Sequence, residues 1–132
     1  MGTIVCAVDD SPEAGQAIRT AAALSRDSGL RLVLVHVEGG ERVRAARGRH
    51  GQELLNRLAA DYRLDGAADR RLEVGDRASE VARVAAEEAA SVIVVGSRSR
   101  HWWRRGTIRG LADDLNETAP CPVMVAPRPA RG

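Results

Sequence analysis

Short runs of unbroken apolar, largely β-branched residues alternate along the chain with longer stretches in which apolar residues recur at three- and four-residue intervals. Unbroken runs are the pattern of strands buried on both faces, as in a parallel sheet covered by helices. Residues 3–8, 30–37, 91–95 and 123–126 read this way. Residues 70–74 alternate apolar and charged side chains instead, which predicts a short strand at a sheet edge. Between the first two runs, Ala14, Ala17, Ile18, Ala21 and Leu24 form the narrow small-residue face of a helix predicted from Pro12 to about Asp27. Ser11, Pro12 and Glu13 are a start signal: a capping hydroxyl, a proline at the first helical position and an acid at the positive end of the dipole. Gly29 is the left-handed stop.

A second helix carries Leu55, Leu58, Ala59 and Tyr62 on one face, and the arginine-rich residues 41–50 before it fit either its first half or a mobile loop. After a turn at Gly75 and Asp76, a third helix is striped by Ala78, Val81, Ala82, Ala85 and Ala89 and should end near Ala90. Leu111, Leu115 and Thr118 mark a short fourth helix, closed by Pro120 and Pro122. The order βαβαβαβαβ predicts an α/β fold, a five-stranded parallel sheet with helices on both faces, as one domain over residues 1–132. No internal repeat is visible.

Composition narrows the chemistry. All 20 basic residues are arginine, so a phosphate loop ending in Gly-Lys-Ser/Thr and a lysine Schiff base are both excluded. The net charge of +2 does not call for a nucleic-acid partner. No apolar stretch approaches the roughly 20 residues of a membrane span, and the first core-like run starts at Ile4 without a secretory leader pattern, so no membrane association is expected. Cys6 and Cys121 lie in or beside apolar runs and read as small buried hydrophobes rather than a redox pair, which suits a cytoplasmic location.

In an open parallel sheet, ligands bind beyond the carboxyl ends of the strands where the strand order reverses. Two loops, residues 9–11 and 96–109, frame that crevice. The fingerprint G-x-G-x-x-G is absent after the first strand, which disfavours a classical NAD fold. Asp9 stands where a carboxylate could accept hydrogen bonds from a base or ribose, or help to cap the next helix. His36 lies inside an apolar strand and reads as a hydrogen-bonded core histidine. His50 and His101 have no partners at metal-ligand spacing, and Ser97 and Ser99 lack the G-x-S-x-G elbow. No nucleophile is assembled with a base, so the chain is expected not to be an enzyme.

Four stretches, residues 4–12, 32–37, 73–98 and 119–125, resemble in order and spacing the universal stress protein family, over nearly the whole chain. The resemblance implies a Rossmann-like sheet of the adenine nucleotide alpha hydrolase type. It also implies a homodimer through the last strand, Val123, Met124, Val125 and Ala126. Some members of this family bind ATP and others do not. Binding members carry G-x-x-G, nine residues, then G-[S/T] after the fourth strand, where glycines let backbone amides approach phosphate. Here the four positions read Gly96, Ser99, Arg109 and Gly110, so three depart from the pattern. A shifted reading takes Gly106 and Thr107 as the last pair and shortens the loop by three residues.

By the same resemblance, Ala7, Val8, Asp9 and Val37 would contact base and ribose, and Gly96, Arg98, Ser99, Arg109, Gly110 and Leu111 the phosphate end. The expected function is a small cytoplasmic stress-response or regulatory domain, non-enzymatic, with weak or lost adenine-nucleotide binding. The alternative is a working ATP or AMP binder with an arginine-rich phosphate loop. A second alternative is a protein-partner platform built on Trp102 and Trp103. Arg98, Arg100, Arg104, Arg105 and Arg109 around those tryptophans suit a phosphate cradle, a surface for an acidic partner or single strand, or a solvated loop with packed tryptophans.

Overall fold

The apolar runs do become strands, and they share one sheet. The computed structural model describes residues 2–39, 45–97 and 111–127, and of residues 45–49 the backbone alone. In chain order the elements are β1 (Thr3–Ala7), α1 (Ala14–Ser28), β2 (Arg31–Glu38), α2 (Ala45–Asp61), β3 (Ala68–Val74), α3 (Arg77–Glu87), β4 (Ala90–Val95), α4 (Leu111–Thr118) and β5 (Val123–Val125). All neighbouring strands are parallel, in the order β3-β2-β1-β4-β5, so the sequence of strands reverses direction at β1.

The period of two along each strand divides the core into two layers. Ile4, Cys6, Leu32 and Leu34 face α1 and α2, where Ala17, Ile18, Ala21, Leu55 and Ala59 are fully or almost fully buried. Val5, Val35, Ile93 and Val95 face α3 and α4, against Val81, Val84, Ala85 and Leu115. The alanines of α1 let that helix lie close to the sheet. Burial pushes the Cys6 thiol up to about 12, which leaves it a protonated hydrophobe. Cys6 and Cys121 are both free thiols.

Several boundaries differ from the sequence reading, each for a local reason. Ser11 does not cap α1. Its hydroxyl donates to the Asp9 carboxylate, and the chain enters the helix through a turn in which the Ala14 amide reaches the Ser11 carbonyl at 3.2 Å. Glu13 occupies the N-cap position without a side-chain hydrogen bond, so Pro12 lies in the entry turn rather than at the first helical position. Gly29 ends α1 as expected, at φ 76°.

Residues 45–50 are helical, which decides between the two readings for that part of the arginine-rich stretch alone; residues 40–44 lie outside the described residues. β3 starts at Ala68 and is an edge strand, as its alternation predicts. Its charged side chains meet α3: Arg71 reaches Glu87 at 2.8 Å and Arg83 reaches Glu73 at 2.7 Å. In α3, Val84 joins the buried stripe, while Ala89 falls beyond the last turn, at φ 53°, and not on the stripe. In α4, Ala112 is buried and Thr118 is exposed, bonding back to the Asp114 carbonyl at 3.2 Å. β5 stops at Val125, although the Ala126 amide still donates to Val95 at 2.8 Å.

Candidate functional site

β1 is the strand on either side of which the crossovers run in opposite directions, so the carboxyl ends of β1, β2 and β4 open a crevice. A cavity of about 540 Å³, including space open to solvent, lies there. Its walls come from the ends of those three strands and from the beginnings of α1, α3 and α4.

The floor is held by backbone bonds around Val8. The Val8 amide donates to the Val35 carbonyl at 2.9 Å, and the Val8 carbonyl lies 2.9 Å from His36 Nδ1. A carbonyl only accepts, so Nδ1 is the donor and the ring is fixed in place. His36 therefore has the backbone partner expected of a histidine in an apolar strand, and one side of it also lines the cavity. Behind it, Glu38 is 8% exposed; its Oε1 has no hydrogen-bond partner and stands 3.9 Å from His36 Nε2. Nothing in the strand pattern signalled this buried carboxylate.

Asp9 turns the chain out of β1. Its Oδ1 accepts the Ser11 amide at 2.9 Å together with the Ser11 hydroxyl, a local side-chain turn in place of a helix cap. Its Oδ2 lies 3.5 Å from the guanidinium of Arg77. Arg77 is the first residue of α3, placed by an effective cap: Asp76 accepts the Ser79 amide at 3.0 Å. That hydrogen bond holds the Asp76 carboxyl below its usual range.

Gly96 ends β4 where α1 begins. A Cβ there would lie 3.0 Å from the Glu13 carbonyl oxygen, so the glycine is required by this close approach of backbone. Leu111, buried, opens α4 and closes the far wall.

Of the residues singled out from sequence, Ala7, Val8, Asp9, Val37, Gly96 and Leu111 all line this one cavity. Arg98, Ser99, Arg109 and Gly110, with Trp102 and Trp103, lie outside the described residues. Ser11 lies in the loop expected to frame the crevice, whereas sequence reasoning missed Ala14, Val35, His36, Arg77, Val81 and Val95 as lining residues. A signal existed: in a parallel sheet each crossover helix starts at the carboxyl edge, so the first residues of α3 were candidates.

The sequence profile of the universal stress protein family matches residues 1–127. The chain belongs to this family. No curated protein matches it in sequence. Among solved structures, the universal stress protein from Archaeoglobus fulgidus in complex with dAMP is 27% identical, with a TM-score of 0.79 over 96% of this chain and 98% of that one. A universal stress protein family member from Burkholderia pseudomallei is 29% identical, with a TM-score of 0.73 over 96% of each chain. The family protein from Arabidopsis thaliana with AMP bound is 21% identical and shares the fold at a TM-score of 0.67, over 97% of this chain and 93% of that one. Among the described residues no helix is long and apolar enough to cross a membrane.

Proposed function

We propose that this universal stress protein domain is a non-enzymatic stress-response module that takes an adenine nucleotide in the cavity at the end of β1. Base and ribose lie against Ala7, Val8, Asp9 and Val37, and the phosphate end lies toward Gly96 and Leu111 with Arg98, Ser99, Arg109 and Gly110. The observation that carries this reading is convergence: residues 7–9, 37, 96 and 111, far apart in sequence, line one crevice. The similarity to a dAMP complex at 27% identity supports the ligand class. The changed phosphate motif, with Arg109 in place of a glycine, supports weak binding of a triphosphate.

Calorimetry with adenosine, AMP and ATP tests this. AMP and adenosine should bind saturably and ATP at least tenfold more weakly than AMP. Tighter binding of ATP, or no binding of any of the three, would overturn it.

The same reading pairs two copies of the chain through β5. Support comes from the position of β5 at a sheet edge, from its three-residue length and from Met124, which is 38% exposed there. The two free thiols suit a cytoplasmic location.

A further inference from the structure

We infer that Arg77 decides which ligands the cavity accepts, because its guanidinium offsets the Asp9 carboxylate and so admits an anionic nucleotide alongside a neutral nucleoside. This rests on the nucleotide-binding reading above. Most of the described lining is aliphatic, including Val8, Val81 and Val95, and such walls weaken the screening of any charge between them. Asp9 is 31% exposed in its side chain and places a carboxylate at this wall. Left alone, it would repel a phosphate entering the same crevice.

Arg77 answers that charge from the opposite side. The two side chains come from different elements, the turn after β1 and the first residue of α3, and meet at 3.5 Å. The position of Arg77 is built in. Gly75, at φ 142°, donates its amide to the Glu38 carbonyl at 3.0 Å, and the Asp76 cap then starts α3 on the next residue. With 37% of its side chain still exposed, the guanidinium places a positive charge beside Asp9 at the cavity wall. A nucleoside gains little from this charge, whereas a nucleoside monophosphate gains attraction and loses a repulsion.

The test uses the full chain and its Arg77→Gln and Arg77→Lys variants, each verified as folded by circular dichroism, titrated calorimetrically with AMP and with adenosine. Arg77→Gln should weaken AMP roughly tenfold more than adenosine, the size expected for a unit charge acting across about 10 Å in a partly screened cleft. Arg77→Lys, which keeps the charge without the planar fork, should recover most of the AMP affinity. If Arg77→Gln changes both ligands equally, or neither, Arg77 is only a strap between two loops and the inference fails while nucleotide binding stands. If the unaltered chain binds neither AMP nor adenosine, the binding reading fails and takes this inference with it.

Discussion

Two aspartates ahead of helices do different work in this protein, and the difference follows from how far each stands from its helix. Asp76 is extended, at φ −73° and ψ 130°, and its carboxylate turns back onto the Ser79 amide, the geometry of an N-cap. Asp9 is separated from α1 by four residues and satisfies the nearer Ser11 amide instead, which leaves its other oxygen facing the cavity. The cap has a pH signature. The Asp76 carboxyl, held below its ordinary 3.8 by the Ser79 backbone amide, stabilises the fold above that pH. This contribution is lost as pH falls through the lower folded value. Asp76→Asn keeps a capping oxygen without the titration, so thermal melts should show the wild type ahead at pH 7 and the gap closing toward pH 2. A gap that is independent of pH would exclude the cap as its source.

At the scale of elements, α2 shows packing overriding local preference. Residues 45–51 contain two glycines, each costing about 1 kcal/mol of helix propensity relative to alanine. The helix forms regardless, because Leu54, Leu55, Leu58 and Ala59 bury against β2 and β3. Gly51 has a second role: a Cβ there would come within 2.6 Å of the Leu72 side chain and closer still to buried Glu38. Gly51→Ala should therefore destabilise the fold by about 1 kcal/mol, since overpacking of one to three kcal/mol outweighs the propensity gain. Denaturant melts measure this directly, and a stabilised variant would show that α2 can shift away from β2. The ion pairs between α3 and β3 act differently. The Arg83 guanidinium is pushed up by Glu80, Glu87 and Glu73, yet the group is solvent-exposed, and such pairs add little stability. Their stronger effect is to put charge along the β3 edge, where another sheet would otherwise add.

For the whole molecule, the two sheet edges are unlike. β3 is seven residues long and charged, whereas β5 is three residues long with half-buried Val123 and Val125 around exposed Met124. The charged edge resists pairing and the apolar one invites it, which is the physical ground for a dimer through β5. Met124→Asp should convert a dimer to a monomer in light scattering while leaving the circular dichroism spectrum unchanged. An unchanged mass would move the interface elsewhere.

The fold was legible in the sequence because its signal is local: unbroken β-branched runs have only one comfortable place, between two helical layers, and the small-residue face of α1 follows from its spacing. Half of the candidate site was legible too. Asp9 and Gly96 end strands, and in a parallel sheet strand ends face the ligand. The start of a crossover helix signalled the place of Arg77, but its pairing with Asp9 and the burial of Glu38 were not legible, because a charge near the start of a helix or the end of a strand looks the same in sequence whether it meets water, a carboxylate or the interior. The partner of Ser11 was also decided only in three dimensions, since its hydroxyl could either accept from the first amides of the helix or donate to Asp9. Sequence alone determined which segments become strands and helices. Tertiary structure decided which of their polar ends meet, because those contacts join residues as distant as Asp9 and Arg77, whose distance apart no local pattern encodes.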